Sequence, residues 1–109
     1  MDLELNGAAF AEIDVEVGSV DAKIVGASKL EIDGSAQQFE VEVHGASTLN
    51  AQDFDVSDLE VETHNASTAR VNASDNMIIR SYGASNVVYG GDADVDIEKG
   101  GGSTVRKDF

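Results

Sequence analysis

Two histidines have the clearest potential for chemistry in this 109-residue sequence, because each follows a glutamate by two residues. The pairs are Glu42 with His44 and Glu62 with His64. Imidazole and carboxylate groups together can hold a transition metal. Nothing in the sequence supplies a third fixed ligand, so we favour a structural interpretation in which the imidazoles stack in a repeated fold, with Tyr82 next in the column. We predict no catalytic, cofactor-binding or metal-binding residues.

Acidic residues are the other candidates for binding, since 21 Asp and Glu oppose 7 Lys and Arg and give a net charge of −14. Carboxylates suit Ca²⁺. Acids that we expect in loops are Asp53, Asp55, Asp58, Asp75, Asp92 and Asp94. The sequence contains no Asp-x-Asp-x-Asp-Gly loop and no glycine-aspartate nonapeptide repeat. We predict no cofactor, with weak Ca²⁺ binding as an alternative, and interpret most of the charge as a solvated face.

The charge and hydropathy also exclude two classes of partner. A nucleic-acid-binding protein needs a basic face that neutralises phosphates, which this composition does not provide. No stretch is long or apolar enough to span a bilayer. We therefore predict neither nucleic-acid binding nor membrane insertion.

A short signature recurs along the whole chain and sets the positions of these residues. Its copies begin at residues 7, 26, 45, 65, 83 and 101, a spacing of 18 to 20 residues. Apolar residues occupy every second position around each copy, as with Val41 and Val43 before Gly45 and with Leu49 and Ala51 after it. Such self-similarity indicates stacked structural units.

The period of two predicts β-strands and almost no helix. A unit with two short strands and one corner of small residues fits one coil of a parallel β-helix. We predict an all-β, single-domain parallel β-helix over residues 1–109, with right-handed coiling and about five to six coils of 18–20 residues. The variable spacing between the strands of successive units is assigned to loops.

Glycine and serine define the corner. The first position of the signature is Gly in five copies and Asn65 in the other, and both residue types tolerate a left-handed backbone. Serine follows two residues later in five copies: Ser28, Ser47, Ser67, Ser85 and Ser103. We expect a buried ladder of hydroxyls that bond to each other or to the corner backbone, rather than a catalytic serine.

An enzyme is the rival interpretation, because many parallel β-helices cleave acidic polysaccharides. Such sites need clustered catalytic groups in a groove. None of the basic residues lies in an obvious acidic catalytic cluster, and a surface this negative would repel an anionic sugar polymer. We predict that the protein is not an enzyme, with a polysaccharide-binding or polysaccharide-processing β-helix as the alternative.

The two ends of the predicted solenoid differ in character. Val105 is followed by the charged residues 106–108, which discourage further strand addition. Leu3 and Leu5, in contrast, belong to a core layer with no polar cap before it. We expect either that the chain is the C-terminal part of a longer β-helical domain or that copies associate through the first coil.

The Gly-Ala-Ser signature, the acidic run Phe39-Glu40-Val41-Glu42-Val43 and the glycine-rich segment 100–105 resemble a known bacterial family. It is the auto-transporter adhesin head GIN domain family, common in Bacteroidetes. The resemblance implies a right-handed β-helix exported to the periplasm, cell surface or extracellular space, with no catalytic residues to carry over. Together with the repeat, it predicts a non-enzymatic structural or adhesion module of the cell envelope that binds a cell-surface glycan or protein.

Overall fold

Almost all of the chain folds into β-strands. The computed structural model describes residues 2–91 and 93–107, and it has no helix there, hence none that could cross a membrane. Within these described residues, nine strands form a single sheet in which every paired neighbour is parallel. Their bounds are β1 Asp2–Leu5, β2 Phe10–Ile24, β3 Lys29–Val43, β4 Thr48–Asn50, β5 Phe54–Thr63, β6 Thr68–Ser81, β7 Asn86–Gly90, β8 Asp94–Lys99 and β9 Thr104–Lys107.

Strand pairing follows the sequence repeat. Leu3 of β1 pairs with Ala22 of β2, Ala22 pairs with Val41 of β3, and Val41 pairs with Val61 of β5. The sheet thus winds into a β-solenoid of about six coils. This arrangement confirms the predicted all-β parallel β-helix.

Each coil has three sides, whereas the sequence predicted two strands and a loop. We call the residues before the corner the first side (19–24 in the second coil), those after it the second side (29–32), and those that follow the third side (33–36). On the third side Val15 pairs with Gly34, and Gly34 pairs with Phe54. The loop assignment was wrong here because β2 and β3 each continue through this segment and pair in register along it.

The core is filled by inward side chains from all three sides. Phe39 from the first side and Phe54 from the third side meet edge to face, with ring centroids 5.2 Å apart. Both rings are fully buried. The third side therefore contributes core residues, among them Ala36 and Val56, that the loop assignment had excluded.

The terminal coils are less well covered than the middle ones, since each has only one neighbouring coil in the described structure. Leu3 and Leu5 are half-buried at the first coil. At the last coil Ile97 is 40% exposed and Lys99 is also exposed, although both occupy columns that point inward elsewhere.

The corners adopt the predicted left-handed backbone. Gly45 has φ 76° and Asn65, its counterpart in the next coil, has φ 65°. A Cβ atom on Gly45 would lie only 2.6 Å from the carbonyl oxygen of Gly26 in the coil below. Glycine is thus required there both for the backbone conformation and for close stacking.

The serine ladder is present and bonds to backbone. The Ser67 Oγ lies 2.6 Å from the carbonyl oxygen of His64 and 3.0 Å from that of Gly45 one coil below. Ser28, Ser47, Ser85 and Ser103 make the same pair of contacts. No buried side-chain polar atom lacks a partner in the described part of the chain. These serines stabilise the corner, as predicted.

Candidate functional site

The outward face of the first side holds most of the acidic surface. Its rows align in register from coil to coil, so like charges stand one strand spacing apart. The acidic members are Asp2, Glu4, Asp21, Glu40, Glu42, Asp58, Glu60, Glu62, Asp94, Asp96 and Glu98. Arg80 relieves part of the repulsion, because its Nη1 lies 3.0 Å from Glu60 Oε1 and its Nε lies 3.7 Å from Glu98 Oε2.

The two histidines stack as the repeat predicted. The rings of His44 and His64 lie 4.5 Å apart and are inclined by only 3°, and the Tyr82 ring follows at 5.3 Å. Each imidazole Nε2 faces the glutamate two residues earlier, at 2.7 Å between His64 and Glu62. The rings of His44 and Tyr82 therefore cover the two faces of the His64 ring. We interpret this column as packing between neighbouring coils on the outside of the solenoid.

The acids assigned to loops lie mostly in strands. Only Asp53 occupies a turn, between β4 and β5. The other described members are strand residues: Asp55 and Asp58 in β5, Asp75 in β6 and Asp94 in β8. Asp92 lies outside the described residues. Over residues 2–91 and 93–107, no three His, Asp or Glu side chains converge in a way that could hold a metal ion.

The outward face of the second side is different in composition, from the third coil to the last. One column consists of Thr48, Thr68, Asn86 and Thr104, which pair in register. The neighbouring column, two residues further along each strand, consists of Asn50, Arg70, Val88 and Arg106. We call these eight residues the acid-free strip, because no Asp or Glu occurs among them.

The two arginines of the acid-free strip are exposed. Among the described residues neither Arg70 nor Arg106 forms an ion pair, in contrast to Arg80 on the first side and to Lys29, which lies 3.4 Å from Glu31. Val88 separates them in the column and is only 9% exposed. Within residues 2–91 and 93–107, the strip thus presents two cations without an ion-pair partner beside hydroxyl and amide groups.

One family model matches the chain. Its description is "Putative auto-transporter adhesin, head GIN domain", and the match covers residues 1–93. The chain belongs to this family. Comparison with curated proteins and with solved structures finds no match.

In this head GIN domain the corner, the serine ladder and the histidine column were predictable from the sequence, whereas the acid-free strip was not predicted. The net charge of −14 gave no indication that the outward face of the second side lacks acids from the third coil to the last. A usable signal was available in the repeat, because the positions three and five residues after each signature start read Thr48 and Asn50, then Thr68 and Arg70. The charges in each column of the repeat, rather than the charges along the chain, reveal the acid-free strip.

Proposed function

We propose that this head GIN domain is a non-enzymatic adhesion module of the cell envelope that presents a rigid β-solenoid surface to a polymer or a protein. The observation that carries the proposal is the regular outer surface: outward residues repeat in register from coil to coil on an inflexible sheet. A polymer can make the same contact at successive coils of such a surface, so that many weak contacts add up. The family description, which names an adhesin head, agrees with this role.

A display experiment tests the proposal. The chain is fused to an outer-membrane anchor in a bacterium that lacks adhesins, and the retention of cells on polysaccharide-coated and protein-coated surfaces is measured under flow. We expect greater retention than with the anchor alone. Retention equal to that of the anchor on every surface would contradict an adhesive role.

Polysaccharide processing is the less favoured function. The first-side carboxylates stand in rows on an open sheet, and the grooves between the rows are open to solvent. Glycosidic bond cleavage needs an acid pair that encloses the scissile bond. Release of reducing or unsaturated sugar from any polysaccharide would overturn our assignment of a non-enzymatic role.

Export is part of the same proposal, since an envelope adhesin acts at the cell surface or in the periplasm. The absence of cysteine is compatible with an oxidising compartment. Fractionation of the source bacterium with an antibody against the chain would place the protein, and recovery only from the cytosol would contradict export.

We also propose that copies associate through the first coil. Its inward residues Leu3, Leu5 and Ile13 are apolar and half-buried. The last coil instead carries Lys99 and Lys107 in columns that are apolar or uncharged in the coils before it. Lysines at inward positions hinder strand addition, so the first coil is the better surface for a second copy.

A further inference from the structure

We propose that the acid-free strip binds a carboxylated polysaccharide, an inference that rests on the proposed adhesive function and names its ligand class. The strip occupies the outward face of β4, β7, β9 and the first part of β6. An exposed arginine without an ion-pair partner is a strong site for a carboxylate, because the guanidinium group can donate two parallel hydrogen bonds.

The spacing of the arginines suits a polymer that runs along the solenoid axis. Arg70 and Arg106 lie in the same column two coils apart, which corresponds to about 10 Å at the usual separation of neighbouring strands. That distance is comparable to the length of a disaccharide. A polymer with one carboxylate per sugar or per disaccharide could therefore reach both guanidinium groups.

The column beside the arginines supplies the groups that sugars require. Thr68, Asn86 and Thr104 carry hydroxyl and amide groups that both donate and accept hydrogen bonds. They pair in register with one another, so they offer one polar group per coil along the same line. Sugar hydroxyls can bond to this row while carboxylates bond to the arginines.

Other acidic partners fit the strip less well. The backbone groups of β4, β6 and β7 bond to neighbouring strands on both sides, and the unpaired backbone edge of β9 lies at the end of the solenoid. A peptide therefore could not add as a strand across the outward face of the strip. Two arginines with no aromatic residue in the strip give neither the charge nor the stacking that a nucleic acid needs. Recognition by side chains alone favours a polysaccharide.

A chain of net charge −14 is expected to repel anionic sugars, but most of its acidic side chains lie away from the strip. The molecule measures 29 × 28 × 19 Å, whereas exposed charges are screened beyond about 8 Å at physiological ionic strength. Carboxylates on the first side therefore weaken binding at the second side only modestly. Long-range repulsion slows the approach of the polymer more than it reduces the contact energy.

The test measures binding of a polyuronate and of the fully methyl-esterified form of the same polymer by calorimetry at physiological ionic strength. We expect the polyuronate to bind at least about tenfold more tightly than its ester, since esterification removes the charge that the arginines pair with. Equal binding of the two polymers, no binding of the polyuronate, or equally tight binding of polyglutamate would overturn the inference.

Matched variants locate the contact. R70Q/R106Q removes two charges from the strip and K23Q/R80Q removes two from the first side, so the net charge is the same in both. We expect the first variant to weaken polyuronate binding by about tenfold or more and the second to change it less than about twofold. T104V, which keeps the charge and removes one hydroxyl, should weaken binding severalfold.

Equal losses in the two double variants would show that net charge alone governs binding and would overturn the inference. All of these residues except the half-buried Arg80 are exposed, so thermal unfolding should confirm that the variants fold. Failure here is separable from failure of the proposed function. Cells that display the parent chain and adhere to a protein-coated surface, while the chain does not bind the polyuronate, would refute the ligand class while the adhesive role stands.

Discussion

At the scale of single residues, the corner serines illustrate how a repeat satisfies buried polar groups. Ser67 is fully buried, and its hydroxyl reaches the carbonyl oxygens of His64 in its own coil and Gly45 in the coil below. One side chain thus ties a corner to the preceding corner. Because the same contacts recur in neighbouring coils, the ladder supports the stacking register along the axis.

We predict that S67A lowers the free energy of unfolding by about 1–3 kcal/mol, the usual cost of leaving buried hydrogen-bonding groups unpaired. S103A is the control, because Ser103 makes the equivalent contacts in the half-exposed last coil, where water can replace the hydroxyl. We expect it to cost less than about 0.5 kcal/mol. Urea unfolding measures both, and equal losses would contradict a structural ladder.

At the scale of strands, the bend between the second and third sides depends on a glycine in the second and fifth coils, and the repeated signature does not predict either glycine. Gly34 lies within β3 with φ 117°, and a Cβ atom there would overlap the carbonyl oxygen of Val15 in the first coil. The strand can therefore turn from the second side to the third without leaving the sheet. Gly91 has φ 96° and a similarly close approach to Ala73.

We predict that G34A destabilises the protein by about 3 kcal/mol or more, since it combines an unfavourable φ with a steric overlap against backbone. G18A is the matched control. Gly18 lies in β2 without a positive φ, and nothing lies within 4 Å of the Cβ that it would gain. That variant should stay within about 0.5 kcal/mol of the parent in thermal or urea unfolding. Similar midpoints for the two variants would refute the role assigned to Gly34.

The same bend explains how much of the fold could be predicted from the sequence. The first and second sides were predictable because inward residues keep a constant distance from the glycine signature, as Val43 and Leu49 do from Gly45. The third side was not, because a turn at residues 51–53 and a bulge between Val56 and Asp58 shift its spacing. Packing against the other two sides, rather than local pattern, positions Phe54 and Val56.

At the scale of the whole molecule, charge is segregated by side. The first side concentrates carboxylates, whereas the acid-free strip on the second side has two arginines with no ion-pair partner in the part of the chain that the structure describes. This distribution was not predictable from net charge, because a sum over the chain does not show which column a residue occupies. In a solenoid, the position of a residue within the repeat determines the side and column of the surface on which it lies. Functional hypotheses for such folds should therefore consider the charges and side chains of each column.

The first coil leads to a prediction about assembly. Its outward faces carry the acidic residues Asp2, Glu4, Glu12 and Asp14, while Leu5 faces inward and is half-buried. When two first coils meet, apolar contact favours association and like charges oppose it. Salt screens exposed charges, with a Debye length of about 3 Å at 1 M against about 10 Å at 0.1 M. We therefore expect self-association to strengthen as salt concentration rises.

Sedimentation velocity at a series of protein concentrations measures this. We expect monomer at low ionic strength and a growing dimer fraction as NaCl approaches 1 M. L5K places a charge in the contact and should abolish the dimer at every salt concentration. I97K is its counterpart at the last coil, where Ile97 is already 40% exposed, and it should leave the dimer unchanged. A dimer that survives L5K but is lost with I97K would place the contact at the opposite end of the solenoid, and a monomer under all conditions would refute association through either end.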